Sequence, residues 1–142
     1  ILFDRESDSP ICVIDLDTIM PGLSLYDFGD SIRFGASTGA EDEKDLSKIE
    51  CSLELFECYT KGFLSECGDI LDEKEKMLLP FGAKIMTLEC GIRFLADYLD
   101  GDVYFKTHYP DHNLDRCRTQ FKLVSDMETK MNDLINIIKK YL

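Results

Sequence analysis

The residues of this sequence that could do chemistry are concentrated between Val13 and Asp30. The stretch reads VIDLDTIMPGLSLYDFGD and contains four aspartates, Asp15, Asp17, Asp27 and Asp30. Carboxylates that follow an apolar run can hold a divalent metal, take part in phosphoryl transfer, or simply be solvated at the end of a strand. Each possibility requires particular residue types at neighbouring positions, so the neighbouring sequence distinguishes between them.

A calcium-binding EF-hand loop is the first possibility, because Asp15-Leu16-Asp17 begins as such a loop begins. The loop requires an oxygen ligand at its fifth position, glycine at its sixth and glutamate at its twelfth. Here those positions hold Ile19, Met20 and Tyr26. The sequence therefore excludes an EF-hand.

A phosphatase of the haloacid-dehalogenase type is the second possibility, because its strand ends in an Asp-x-Asp pair. The glycine and threonine that usually follow the pair are replaced here by Thr18 and Ile19. Such an enzyme also needs a parallel sheet, and after Gly22 the sequence offers only helical patterns. Both observations argue against this class.

The elements that must position the aspartates are predicted from apolar periodicity. Apolar runs at Ile1–Asp4 and Ile11–Leu16 predict a β-hairpin. About four helices are then predicted, with the fold mainly α: one closing near Gly35, one from Ile49 to Gly68, one with the apolar stripe Leu78, Phe81, Ile85, Leu88, Ile92, Leu95 and Leu99, and one from Leu114 to Tyr141. Pro80 is expected near the start of the third helix. The absence of alternating βα units excludes a doubly wound sheet.

Composition limits the class of protein further. The chain has 142 residues, enough for one domain, and a net charge of −12, which argues against nucleic acid or an anionic membrane as a partner. No apolar run approaches the roughly 18 residues that would span a bilayer. Six cysteines occur without a CxxC pair, so we expect reduced thiols and a cytoplasmic location.

The Val13–Asp30 stretch resembles the aminoglycoside phosphotransferase and choline kinase family, whose fold is protein-kinase-like. The shared pattern is an apolar strand, Ile-Asp, a loop with glycine, and then Tyr-Asp-hydrophobic-Gly. More narrowly, CVIDLDTIMPGLSLYDFGDSIRFGA is similar to bacterial N-acetylhexosamine 1-kinases, as are LELFECYTKGF, LECGIRFLADYLDGDVYF and HNLDRCRTQFKLV. The resemblance covers most of the chain and implies that residues 1–142 are the C-terminal lobe of a kinase-like fold.

The resemblance also implies roles for individual residues. Asp15 matches the metal-binding aspartate of the family, and Asp17 either assists it or faces the sugar. Asp27 matches the aspartate of the family's second motif, which hydrogen-bonds the backbone of the catalytic loop. The sequence Asp-Phe-Gly that begins at Asp27 is therefore not the metal-binding motif, which comes earlier in the chain at Asp15. Arg93 and Tyr104 fall where contacts to sugar hydroxyls are expected.

Simpler interpretations of the same residues stay open. Asp30 is predicted to be a carboxylate that stabilises a helix N-terminus. Glu89, Arg93 and Asp97 are spaced for a surface salt-bridge ladder, which would leave Arg93 without a binding role. Tyr104 and His108 suit packing or the surface equally well, and the sequence assigns no role to His112. The acidic loop from Glu41 to Asp45 is expected to be solvated.

The expected function is phosphorylation of the anomeric hydroxyl of an N-acetylhexosamine, with ATP and Mg²⁺ as cofactors. In the family the catalytic aspartate lies in a His-x-Asp-x-x-x-x-Asn loop just before the strand, so we expect the base upstream of Ile1 and the nucleotide-binding N-lobe outside this chain. The chain alone is expected to be inactive. The alternatives are an aminoglycoside, choline or ethanolamine kinase, or a non-catalytic helical binding module.

Overall fold

Five α-helices follow a short antiparallel β-hairpin in the computed structural model, which describes residues 1–142. The hairpin consists of β1 and β2, and the helices are α1 to α5, with two single 3₁₀ turns between them. Their bounds are β1 Leu2–Phe3, β2 Pro10–Cys12, α1 Ser24–Gly35, α2 Leu53–Cys67, α3 Glu73–Leu99, α4 His112–Thr129 and α5 Met131–Lys139, with the 3₁₀ turns at Leu46–Lys48 and Gly68–Ile70. The mainly α class and the hairpin are confirmed.

The hairpin is shorter than predicted. Leu2 pairs with Cys12 and Phe3 with Pro10, and the second strand ends at Cys12 instead of continuing to Leu16. The residues that follow carry exposed apolar side chains, so no second layer covers them. With one partner strand and no packed face, the run lacks the contacts that would keep it in a ladder.

Side-chain caps fix the starts of α2 and α3. The Ser52 hydroxyl accepts a hydrogen bond from the N–H of Leu55 at 3.2 Å. Asp72 and Glu75 form a capping box in which each side chain accepts from the other's backbone N–H, at 2.7 and 2.9 Å. These caps begin α3 about two turns before Pro80, which therefore lies inside the helix and not near its start as predicted.

The long helix α3 forms the centre of the fold, with α1 packed on one side and α4 on the other. The core also includes α2 and α5, and Phe28 of α1 lies at its middle with no exposed surface. The ring of Phe28 meets those of Phe56 and Phe63 edge to face, with centroids 5.7 and 5.2 Å apart. Burial of these rings supplies much of the apolar area that holds α1 to α2.

The buried face of α3 is offset by about one position from the predicted stripe. Leu79, Ala83, Thr87, Gly91 and Phe94 are buried, whereas four of the predicted core residues are exposed to 38% or more: Leu78, Phe81, Ile92 and Leu99. The reason is close helix packing, because small residues on the buried face let α1 and α4 approach the α3 backbone. The predicted face for α3 was therefore wrong.

The predicted last helix is divided into α4 and α5 at Lys130. The turn at this residue redirects the chain so that Leu134 and Ile138, on α5, lie in the core with no exposed surface. These two positions are buried as predicted, but the prediction of a single continuous helix was wrong.

No helix of the chain combines the length and the apolar character needed to cross a membrane. All six cysteines are free thiols, as predicted.

Candidate functional site

An open cavity of about 930 Å³ lies between α1, α3 and the loop that joins α3 to α4. Thr18 and Met20, from the segment that follows the hairpin, form one edge of it. Glu41 and Arg116 line it where the acidic loop meets α4. The cavity is therefore built from parts of the chain that are far apart in sequence.

The wall contributed by α1 consists of Tyr26, Asp27, Asp30 and Arg33. Steps of three and four residues place them on one face of the helix. The opposite face of α1 carries the buried Phe28 and Ile32, so core packing aims the polar face at the cavity. Asp27 lies in the first turn, where the free N–H groups of the helix favour a negative charge.

The opposite wall comes from α3, which contributes Met86, Glu89, Cys90, Arg93 and Phe94. Arg93 is about half exposed and lies 3.7 Å from Glu89, Nε to Oε1. Burial raises the pKa of the Cys90 thiol, although nearby Arg33 partly opposes this rise. The thiol is therefore a poor nucleophile at neutral pH.

The charged groups of the cavity largely neutralise one another. The Arg33 guanidinium donates to Asp30 Oδ1 at 2.8 Å and to Glu41 Oε1 at 3.2 Å, and Arg116 Nε lies 3.5 Å from Glu41 Oε2. Burial of Arg33 acts to lower its pKa, but the hydrogen bond to Asp30, with smaller contributions from Cys90 and Glu41, outweighs burial and the pKa is raised. The guanidinium is therefore a fixed charge that holds both carboxylates.

The acidic loop takes part in this network, which corrects the prediction that it is solvated. Glu41 bridges Arg33 and Arg116, and its carbonyl accepts a hydrogen bond from the hydroxyl of Thr119. Asp42 lies 3.2 Å from Nε2 of His112. These contacts reach α1 and α4 from the loop, so its carboxylates fasten one edge of the cavity.

His112 is buried, with 2% of its surface exposed, at the start of α4. Its Nδ1 accepts a hydrogen bond from the backbone N–H of His108 at 3.2 Å. The other ring nitrogen, Nε2, faces the carboxylate of Asp42. His112 thus joins the loop before α4 to the acidic loop, and the His108 side chain lines the cavity.

Asp97 does not belong to a surface ladder with Glu89 and Arg93, contrary to one interpretation of the sequence. Its side chain is buried, and it accepts hydrogen bonds from the backbone N–H groups of Val103, Tyr104 and Phe105. Burial acts to raise the pKa of Asp97, but these donors, together with the Asn113 amide, outweigh it and lower the pKa. Of the salt bridges that this spacing suggested, only the one between Glu89 and Arg93 forms.

The structure brings together three of the five residues that the resemblance singled out. Asp27 and Arg93 line the cavity, and the Arg93 guanidinium lies 5.7 Å from the ring centre of Tyr104. Tyr104 itself is 74% exposed and lies on the outer side of Arg93. Asp15 and Asp17 are exposed and do not line the cavity, although Thr18 beside them does.

The donor set for a metal is small. Nowhere does the chain gather three or more histidine, cysteine or acidic side chains that could hold an ion. Asp15 adopts a left-handed backbone conformation, with φ of 66°. One or two carboxylates suffice to bind Mg²⁺ only where phosphate oxygens and water complete its coordination shell. Asp15 and Asp17 therefore do not form a self-sufficient metal site.

Sequence reasoning missed Glu41, Asp97, Asn113 and Arg116. One signal was present for Asp97, because an aspartate in the last turn of a helix opposes the helix dipole and needs a compensating partner. Glu41 and Arg116 lie 75 residues apart, and no local pattern links an acidic loop to a distant helix. Only the folded chain shows that they meet.

No model of a known protein family matches the chain.

Proposed function

We propose that the chain is the C-terminal helical lobe of a kinase-like small-molecule phosphotransferase and that the cavity forms part of its acceptor wall. The observation that carries this proposal is the convergence of Asp27 and Arg93 in one cavity, with Tyr104 against Arg93. All three are residues to which the sequence resemblance assigns a role. They come from three separate parts of the chain, α1, α3 and the loop that follows α3.

The charges of the cavity favour a neutral, hydroxyl-rich acceptor. Four carboxylates line it (Asp27, Asp30, Glu41 and Glu89) beside four basic side chains (Arg33, Arg93, Lys106 and Arg116), although the whole chain carries a charge of −12. Three of these carboxylates already pair with arginine, so they offer a cation little. Phe94 and Phe105 add apolar surface that suits a sugar ring. We therefore prefer an N-acetylhexosamine to an aminoglycoside, choline or ethanolamine.

The roles of the residues follow from this proposal. Arg93 donates hydrogen bonds to acceptor hydroxyls, and Tyr104 supports its guanidinium from the outer side. Asp27 braces the backbone of a catalytic loop that lies outside this chain. Asp15, with Asp17 beside it, would hold Mg²⁺, which supplies neutralisation of charge on the nucleotide phosphates when bound. The base that receives the hydroxyl proton also lies outside residues 1–142, in the same polypeptide as the nucleotide-binding N-lobe.

The test is an ATP-dependent phosphorylation assay on the longer polypeptide that contains this chain, with N-acetylglucosamine, choline and kanamycin in parallel. We expect N-acetylglucosamine to be the preferred acceptor and Asp15→Asn to reduce turnover by about a thousandfold or more, as loss of a charge-stabilising group does in phosphoryl transfer. Asp8→Asn is the matched control, because Asp8 is also exposed and left-handed, with φ of 53°. Unchanged turnover after Asp15→Asn would contradict the proposal, as would phosphorylation by residues 1–142 alone.

A non-catalytic binding module is the second candidate function. It is favoured by the exposed apolar side chains of the N-terminal segment, which include Phe3, Ile11, Val13, Ile19 and Met20 and need a covering partner. In a binding module the Asp15→Asn protein would retain its full function. In the phosphotransferase the same surface packs against the rest of the enzyme, and the substitution causes the large loss of turnover given above.

A further inference from the structure

Asp97, in the last turn of α3, organises the loop that closes the cavity. Its Oδ1 accepts hydrogen bonds from the N–H groups of Val103 at 3.0 Å and Tyr104 at 2.7 Å. Its Oδ2 accepts from the N–H of Phe105 at 3.0 Å and from the side-chain amide of Asn113 at 2.8 Å. The carboxylate of Asp97, a residue that is 6% exposed, thus satisfies three consecutive backbone donors that have no helix or strand to receive them.

The direction of the loop beyond Asp97 depends on these bonds. With residues 103–105 fixed, the rings of Tyr104 and Phe105 lie 5.7 and 5.5 Å from the Arg93 guanidinium. Phe105 also packs on Phe94, with ring centres 4.7 Å apart. Arg93 lies one helical turn before Asp97, so the anchor and the group that it orients belong to the same rigid helix.

Asn113 extends the anchor to α4. Its amide nitrogen donates to both Asp97 and Asp102, at 2.8 Å each, and its carbonyl oxygen accepts from Arg116 at 3.2 Å. Arg116 also donates to the carbonyl of Lys106 and lines the cavity. Both ends of the loop are therefore held by one connected polar network.

We propose that Asp97 is a positioning residue for the acceptor wall: by holding the backbone of residues 103–105, it keeps Tyr104 and Phe105 against Arg93 in the geometry that receives the acceptor. The identity of the acceptor rests on the proposed function, whereas the anchoring of the loop does not. Asp97 itself does not face the cavity and is not expected to touch the substrate.

The anchoring is tested by hydrogen–deuterium exchange at single-residue resolution on the 142-residue chain. In Asp97→Asn, the neutral carboxamide accepts hydrogen bonds more weakly than the carboxylate, and its NH₂ group points toward N–H groups that need an acceptor. The backbone amides of residues 103–105 should therefore exchange at least about tenfold faster. Asp100→Asn is the matched control, since Asp100 lies at the end of the same helix, is exposed, and its side chain makes no hydrogen bond or ion pair. Its exchange rates at residues 103–105 should equal those of the unsubstituted chain.

The effect on the acceptor is tested by kinetics of the longer polypeptide. Because Arg93 and its neighbours hold the acceptor both before and during reaction, Asp97→Asn should raise the acceptor KM by about tenfold, with kcat and the KM for ATP changed less than about threefold. A general loss of folded enzyme would lower kcat and leave both KM values alone. This split separates positioning from mere stability.

Each result decides a defined part of the proposal. Unchanged exchange at residues 103–105 overturns the anchoring, and faster exchange with an unchanged acceptor KM overturns the link to the acceptor wall. If the longer polypeptide shows no phosphotransfer, the proposed function fails and the exchange data alone decide the anchoring. If Asp97→Asn does not fold, carbon-13 titration of the Asp97 carboxyl in the unsubstituted chain replaces it. A pKa at or above the ordinary value then overturns the anchoring.

Discussion

The carboxylate of Asp126 accepts a hydrogen bond of 2.7 Å from the backbone N–H of Cys51, 75 residues earlier in the chain. The same carboxylate pairs with Lys130 at 2.8 Å, and Lys130 in turn donates to the carbonyl of Cys51 at 3.0 Å. The three residues thus close a ring that ties the end of α4 to the segment just before α2. Cys51 is fully buried, so its backbone groups have no water to replace these partners.

Removal of this carboxylate is expected to destabilise the fold. Asp126→Ala leaves the buried N–H of Cys51 without its acceptor and removes the shortest ion pair of the half-buried Lys130, which should lower the free energy of unfolding by about 2 kcal/mol. Urea denaturation followed by circular dichroism measures the change. Glu66→Ala is the control, because Glu66 is an exposed residue of α2 whose side chain makes no hydrogen bond or ion pair, and it should stay within about 0.5 kcal/mol of the parent. Equal values for the two variants would contradict the role of Asp126.

The crossing of α1 and α3 depends on two glycines that face each other. A Cβ atom placed on Gly29 would lie 2.6 Å from the carbonyl oxygen of Gly82, and one placed on Gly82 would lie 2.7 Å from the carbonyl oxygen of Leu25. Backbone atoms cannot move aside as a flexible side chain can. Gly29→Ala and Gly82→Ala should therefore each lower the free energy of unfolding by about 2 kcal/mol or more, despite the better helix propensity of alanine.

Gly62 provides the matched control for this prediction. It lies inside α2, and a Cβ at this position would meet no atom within 4 Å. Gly62→Ala should therefore raise the free energy of unfolding by roughly 0.5–1 kcal/mol through helix propensity alone. The same urea experiment measures all three variants. Stabilisation by alanine at Gly29 or Gly82 would show that the helices do not approach as closely as described.

These glycines also explain how much of the fold could be predicted. Apolar spacing was enough to predict α1 and the presence of long helices, because burial repeats with the period of the helix. The hairpin was predicted from its apolar runs alone, since its side chains are exposed. It failed on α3, where Gly82 and Ala83 lie on the buried face and large apolar residues such as Phe81 and Ile92 lie outside it. A prediction based on hydrophobicity gives glycine little weight, yet close packing of two helices requires glycine or another small residue at the contact.

The residues of the candidate site that could be predicted are those that belong to a local sequence motif. Asp27 and Arg93 belong to continuous stretches that could be compared with a family pattern, and both line the cavity. Glu41 and Asp97 act through partners that the fold alone brings near, Arg116 in one case and the N–H groups of residues 103–105 in the other. The unfavourable position of Asp97 near the end of a helix indicates that it needs a partner, but nothing local to either residue identifies which partner it has.

The cysteines should differ widely in reactivity. Cys12 and Cys58 are exposed, whereas Cys51 and Cys117 are buried, and burial, with a smaller contribution from Asp126, raises the pKa of Cys51 to about 11. Because the thiolate is the reactive form, Ellman's reagent at about pH 8 should label Cys12 and Cys58 first, and peptide mass spectrometry can assign the sites. In denaturant all six thiols should react at similar rates. Labelling of Cys51 as fast as that of Cys12 in the folded chain would contradict its burial.

Acid should remove the stabilisation that comes from Asp97. Burial acts to raise the pKa of its carboxyl, but the N–H groups of Phe105, Tyr104 and Val103 and the amide of Asn113 prevail, so the pKa lies below the ordinary 3.8. A carboxyl with a lowered pKa in the folded state contributes stability that is fully present above its unfolded pKa and is lost as the pH falls through its folded pKa. The advantage of the parent over Asp97→Asn should thus be full at neutral pH and shrink below about pH 4.

Urea denaturation of the parent, Asp97→Asn and Asp100→Asn at about pH 7, 5 and 3 measures this dependence. The parent itself should lose stability in acid, because Asp4, Glu43, Asp45 and Glu57 also have lowered pKa values, chiefly through hydrogen bonds to their carboxylates. All three proteins share that loss, so the difference between the parent and Asp97→Asn isolates one carboxyl. Asp100→Asn should follow the parent at every pH. A difference between the parent and Asp97→Asn that stays constant or grows in acid would mean that the loop amides do not favour the charged form of Asp97.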